Sequence, residues 1–162
     1  MAAGPRKPFT EKGGRKMKDA RIVIAVDADP AALVLQSQLR ELRHRVIGAA
    51  ADGAGAVAIC AKLNPDLVIM DINMRSLNDF QAAKTIAASG RIPVIVISGS
   101  FDEALIEAAT QAGVSGFLIK PVDARNLAPA IELTLKNHSR YQQTLAELKQ
   151  LRQMCRGIGA SG

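Results

Sequence analysis

Leu67-Val68-Ile69-Met70-Asp71 decides the fold. Four apolar residues in an unbroken run, closed by one carboxylate, read as a strand covered on both faces, as strands of a parallel sheet are. Ligand sites of such sheets lie just beyond the carboxyl ends of the strands. Three other runs have the same form. Ile22–Val26 leads into Asp27, Val94–Ile97 into Ser98, and Phe117–Ile119 into Lys120. Two acids, a hydroxyl and an amine are therefore expected at one edge of one sheet.

Outward from these runs, strands and helices alternate. Asp29 is placed to cap a first helix with Pro30 in its opening turn, and Leu33, Leu35, Leu39 and Leu42 form its apolar stripe. Arg45–Gly48 reads as a short second strand, and Ala54–Lys62 as a second helix broken by Asn64-Pro65-Asp66. After Asp71 a loop over Ile72–Asp79 precedes a helix over Phe80–Ala88. A fourth helix over Phe101–Ala112 ends at Gly113, and Asp123 caps a last helix from Ala124. Five short-linked β–α units imply an α/β, doubly wound five-stranded parallel sheet with helices on both faces.

The expected organisation is a flexible basic arm over 1–20, a domain over 21–135, a helical extension or coiled-coil linker over 136–156, and a flexible end over 157–162. In the extension, Tyr141, Thr144, Leu148, Leu151 and Cys155 recur at heptad spacing, flanked by Leu145. Two readings stay open for it: a homodimer contact through a coiled coil, or one amphipathic helix lying back on its own domain.

Composition narrows the function classes. The 162 residues are 48% hydrophobic and 22% charged, the pattern of a globular domain with a real core. Aromatic residues make up 3% and Trp is absent, so platforms for stacking single-stranded bases are not expected. Cys60 and Cys155 have no metal-ligand spacing and read as reduced thiols of a cytoplasmic protein. His44 and His138 have no ligand partners in sequence and are expected at the surface. No membrane-spanning stretch or apolar leader is read. The net charge of +6 sits at the ends: residues 1–18 carry six Lys/Arg against one Glu, and 136–162 carry five against one. Basic tails of this kind either stay solvated or contact acidic partners.

A carboxylate at a strand end can attack phosphorus to form an acyl phosphate. Attacker and phosphoryl group are both anionic, so the step needs a divalent cation, a positive side chain and hydrogen-bond donors. Asp27 and Asp29 are candidate metal ligands, Lys120 supplies charge and Ser98 a hydroxyl.

The four motifs that carry this inventory are Val26-Asp27-Ala28-Asp29-Pro30, Pro65 through Met74, Pro93-Val94-Ile95-Val96-Ile97-Ser98-Gly99, and Gly116-Phe117-Leu118-Ile119-Lys120-Pro121. In this order and spacing the chain resembles the receiver domain of bacterial two-component response regulators, from about Arg21 to Leu135. The resemblance implies a flavodoxin-like receiver with strand order 2-1-3-4-5, extended here by the last helix. It implies that Asp71 is the phosphoacceptor, that the Asn73 carbonyl helps bind Mg²⁺ beside Asp71 and the acid at Asp27, and that Ser98 and Lys120 contact the phosphoryl group; for the ligand missing at Ala28, either Asp29 stands in or Asp27 shifts into that role. Ser98 and Phe117 would form the switch, and Pro121 would follow a cis peptide bond. A histidine kinase or phosphotransfer protein is the implied phosphodonor, and nucleic acid is not an expected partner of the receiver itself. Ala28 stands where the family has a second acid, and Arg75-Ser76-Leu77-Asn78-Asp79 stands where Pro-Gly-Met-Asp-Gly is common, Arg75 being placed to pair with Asp79. The alternatives carried with this reading are a pseudo-receiver that binds and dimerises without phosphorylation, and the receiver part of a longer regulator with a nucleic-acid-binding output.

Overall fold

The computed structural model describes residues 19–27, 29–72 and 77–159. Five strands, β1 (Arg21–Ala25), β2 (Arg45–Ala50), β3 (Leu67–Asp71), β4 (Val94–Ser98) and β5 (Gly116–Ile119), form one parallel sheet in the order β2-β1-β3-β4-β5. Five helices connect and follow them: α1 (Asp29–Glu41), α2 (Gly53–Leu63), α3 (Leu77–Ala88), α4 (Glu103–Gln111) and α5 (Ala124–Gly159). The order expected from the motifs is the order found.

The continuous apolar runs are explained by two cores, one on each face. Ile22, Ile24, Leu67, Ile69, Ile95 and Ile97 point to one side, against Leu35 and Leu39 of α1 and Leu127, Ile131 and Leu135 of α5. Their neighbours Val23, Ala25, Val68, Met70, Val94 and Val96 point to the other, against Ala56 and Cys60 of α2 and Ala82, Ala83 and Ile86 of α3. Alternate residues of one strand thus serve opposite faces. Every position is apolar because neither face meets water.

Several boundaries differ from the sequence reading. β2 runs to Ala50 rather than Gly48, because pairing with β1 continues through Ala25↔Ala50. α4 starts at Glu103, where the Asp102 carboxylate accepts the Leu105 N–H at 2.7 Å. α1 includes Asp29 as its first residue rather than as the residue before it. α3 begins at Leu77, so Asp79 lies in a helical first turn and not in a loop. α5 continues to Gly159, through Gly157 where a flexible end is expected. Other local signals hold: Asn64 closes α2 in the left-handed region at φ 45°, Gly113 adopts φ 77°, and the Asp123 carboxylate accepts the Arg125 and Asn126 N–H groups at the start of α5. The basic arm before Asp19, Ala28, Asn73, Arg75 and the residues after Gly159 lie outside the described residues.

Of the two histidines expected at the surface, His44 is buried and His138 is partly covered. His44 is 9% exposed, and its Nδ1 accepts the Ala20 N–H at 3.3 Å. It closes the connection between α1 and β2, where the chain turns in beside β1. His138 is half-buried with Nε2 3.0 Å from the Arg91 carbonyl oxygen. Burial lowers the pKa of each; the Asp19 charge works against it at His44, and the Arg91 carbonyl does so at His138. Neither position is legible from its neighbours in sequence, because the covering groups come from remote segments.

Candidate phosphoacceptor site

In this strand order the sheet reverses direction of winding between β1 and β3, and a crevice opens beyond their carboxyl ends. Asp27 follows β1 and Asp71 ends β3 there. Asp71 pairs in register with Ile97 of β4, and Ser98 pairs with Ile119 of β5. Lys120 is the next residue, and its N–H donates to the Ser98 carbonyl oxygen at 2.8 Å. Three adjacent strands thus deliver a carboxylate, a hydroxyl and an ammonium to one edge.

The Lys120 ammonium Nζ lies 2.5 Å from Asp71 Oδ2. The Asp71 side chain is 16% exposed and that of Lys120 44%, so the carboxylate is sheltered while the ammonium reaches in from solvent. Lys120 is followed by a cis peptide bond to Pro121, as the resemblance implies. Ser98 is 1% exposed, and its Oγ accepts the Ser100 N–H at 3.3 Å. Phe117 is half-buried at the rim of the α2–α3 core, next to Val96 of β4 in register. A groove of about 600 Å³ runs from the Asp71–Lys120 pair between α1 and the β5–α5 connection, with Pro30, Val34, Leu35 and Val122 in its walls.

The structure also brings in a residue that the sequence reading did not assign to the site. Asp79, in the first turn of α3, hydrogen-bonds the Gly53 N–H at the start of α2 and lies within electrostatic range of Asp27, Asp52 and Asp71. Burial raises its pKa; the Gly53 hydrogen bond opposes that rise and the three carboxylates add to it. The signal that could have found it is the acid itself, standing where the family pattern has a glycine.

Asp27 is exposed beside the crevice and Asp71 sheltered within it. Among the described residues no three His, Cys, Asp or Glu side chains form a metal cage. Mg²⁺ is commonly held by one or two carboxylates with waters and phosphate oxygens completing its shell, so the lack of a three-ligand cage does not conflict with the donor chemistry of Asp27 and Asp71. Asn73 and the side chain of Asp29 lie outside the described residues.

Comparison with known proteins identifies the family. The family model for the response regulator receiver domain matches residues 22–132. The transcriptional regulatory protein PdtaR of Mycobacterium tuberculosis is 36% identical over 126 residues, 78% of this chain and 60% of PdtaR. The chain therefore spans about three fifths of that relative. Protein PilH of Pseudomonas aeruginosa is 34% identical over 119 residues, 72% of this chain and 98% of PilH. Among solved structures, the signal receiver domain of a modulated diguanylate cyclase from Desulfovibrio desulfuricans G20 is similar with a TM-score of 0.70 at 30% identity, covering 76% of this chain and 99% of that one. The chain belongs to the response regulator receiver domain family.

Proposed function

We propose that this receiver accepts a phosphoryl group on Asp71 from a histidine kinase or phosphotransfer protein, and that the modification reshapes the face around Ser98 and Phe117. The observation that carries the reading is the Asp71–Lys120 contact at 2.5 Å, made across β4 with Ser98 between. One Asp71 oxygen attacks phosphorus, an O–P bond forms, and the P–N bond of the donor phosphohistidine breaks with its electron pair going to the imidazole. Lys120 then shifts its ammonium from the carboxylate to the phosphoryl oxygens. Bound Mg²⁺ would offset the negative charge of acceptor and phosphoryl group, with Asp27 and Asp71 as its protein ligands and Asp29 and the Asn73 carbonyl as further candidates.

Ser98 is buried, so its hydroxyl reaches a phosphoryl oxygen only by turning away from the Ser100 amide. That turn frees space on the side of β4 where Phe117 sits, and the ring moves inward from the rim. The groove beside Asp71 presents Pro30 and Val34 as an apolar surface for the donor protein. The reading implies a cytoplasmic phosphoprotein.

The test is incubation of the full chain with Mg²⁺ and acetyl phosphate or beryllofluoride, followed by phosphate-affinity electrophoresis and amide NMR. A Mg²⁺-dependent modification with shifts at Ser98 and Phe117, lost in Asp71→Ala, is expected. No Mg²⁺-dependent change, or an unchanged response in Asp71→Ala, overturns the reading in favour of a receiver that binds without phosphorylation.

A further inference from the structure

The domain holds only the first half of α5. Leu127, Ile131 and Leu135 are buried in the core, His138 Nε2 meets the Arg91 carbonyl, and the Gln142 side-chain amide donates to the Gly90 carbonyl oxygen. Leu145 is the last half-buried residue, and every residue from Ala146 to Gly159 is exposed. At 1.5 Å per residue those residues stand about 20 Å clear of the domain. They do not lie back on it. A solvated helix of this length is marginal by itself, so a covered face is the physical expectation.

That face is apolar and regular. Tyr141, Leu148 and Cys155 are seven apart, as are Thr144, Leu151 and Ile158, and the two series interleave at steps of three and four. Leu148 is 48% exposed, Leu151 57% and Ile158 76%. In heptad terms the first series occupies a and the second d. The positions flanking the seam carry the charge pattern. Glu147 falls at g and Arg152 at e of the following heptad, and these two meet across the seam only when identical helices run parallel in register. Arg140, the preceding g residue, then faces an uncharged Leu145. An antiparallel pair centred between Leu148 and Leu151 brings Glu147 against Met154 and leaves Arg152 against Leu145, with no opposite charges facing.

We propose that residues 141–158 of α5 pair with a second copy of this chain as a parallel, in-register two-stranded coil, with Leu148, Leu151, Cys155 and Ile158 in the seam and Glu147 facing Arg152 of the partner subunit. Both receivers then lie at the same end of the coil. The His138 and Gln142 contacts fix the angle at which each helix leaves its receiver. The proposal goes beyond phosphoacceptance and does not depend on it.

Cys155 supplies a direct readout of register. In the parallel coil it faces its own counterpart, and the antiparallel pair separates the two by about 16 Å along the axis. Cys60 does not interfere, because it is buried and its thiol is pushed up to about 11. The experiment is sedimentation equilibrium of the full chain at micromolar concentrations without phosphodonor, for wild type, Leu151→Asp and Asp71→Ala. It is paired with diamide oxidation, in which two thiols lose two electrons and two protons to diamide and join as a disulfide. A dimer in wild type and Asp71→Ala, a monomer with unchanged thermal unfolding in Leu151→Asp, and a disulfide-linked dimer absent in Cys155→Ser are expected. A monomeric wild type overturns the proposal, as does a dimer that survives Leu151→Asp. A dimer that diamide does not link overturns the parallel register. The Asp71→Ala arm separates this outcome from any failure of phosphorylation.

Discussion

Lys120 Nζ contacts Asp71 Oδ2 at 2.5 Å although 49 residues separate them and a whole strand, β4, lies between their own. The contact exists because the sheet places the ends of β3, β4 and β5 side by side. Its ammonium is well exposed, so the pair adds little to stability, under about 1 kcal/mol. Lys120→Ala is therefore expected to leave the urea midpoint nearly unchanged. It should slow acetyl phosphate-driven modification of Asp71 about 100-fold or more, the usual cost of removing one preorganised charge-stabilising group. Loss of stability with unchanged phosphorylation would reverse the assignment.

Asp79 gives a pH signature. Its folded pKa lies above the ordinary 3.8, because burial and then the neighbouring Asp27, Asp52 and Asp71 charges disfavour ionisation, against the Gly53 hydrogen bond. The folded state therefore holds a proton that the unfolded chain has already released, and stability falls as pH rises from 3.8 through the folded value. Above that window the cost is fully present. Asp79→Asn keeps an oxygen for the Gly53 N–H and removes the charge. It is expected to be more stable than wild type at neutral pH, with the difference shrinking as the pH approaches 3.8 from above. Urea titrations at several pH values measure this, and a pH-independent difference would remove the charge explanation.

His44 acts with the opposite slope. Burial holds its folded pKa below 6.5, despite the Asp19 charge, so the unfolded chain binds a proton that the folded chain refuses. Stability is expected to fall as pH drops below 6.5, because protonation also destroys the Nδ1 acceptor of the Ala20 N–H. His138 contributes with the same sign. His44→Gln should therefore flatten part of the acid limb of a thermal-unfolding profile, and an unaltered slope counts against it.

Gly53 is needed for space. A Cβ there would lie 2.7 Å from the Ala82 Cβ and 3.3 Å from Asp79 Oδ1. Gly53→Ala must push α2 from α3, and overpacking of this kind costs about 1–3 kcal/mol. The expected result is a lower urea midpoint with an unchanged m value. Gly99→Ala, where a Cβ meets nothing within 4 Å, is the control and should be near neutral.

The apolar runs ending in Asp71, Ser98 and Lys120 were legible because strand burial and the residue that ends a strand are local properties. Helix caps at Asp102 and Asp123 are local too, and Asp123 is the one that stands at its expected helix start. The surroundings of Asp79 are not local: in the first turn of α3 it meets the Gly53 N–H, 26 residues earlier in the chain. His44 looked like a surface group because Ala20, which uses its Nδ1, sits on a different segment.

By itself, then, the chain determined a five-stranded parallel sheet, the ends of its strands, the groups they carry and the heptad stripe of the last helix. These follow from periodicity and from the burial of each strand on both faces, which the run of neighbouring apolar residues reports. Tertiary structure alone decided that Lys120 reaches Asp71, that Asp79 stands among three other carboxylates, and that His138 and Gln142 tie α5 to the loop before β4. Each of those contacts joins residues far apart in sequence, and only the order of strands and the packing of helices on them sets such distances.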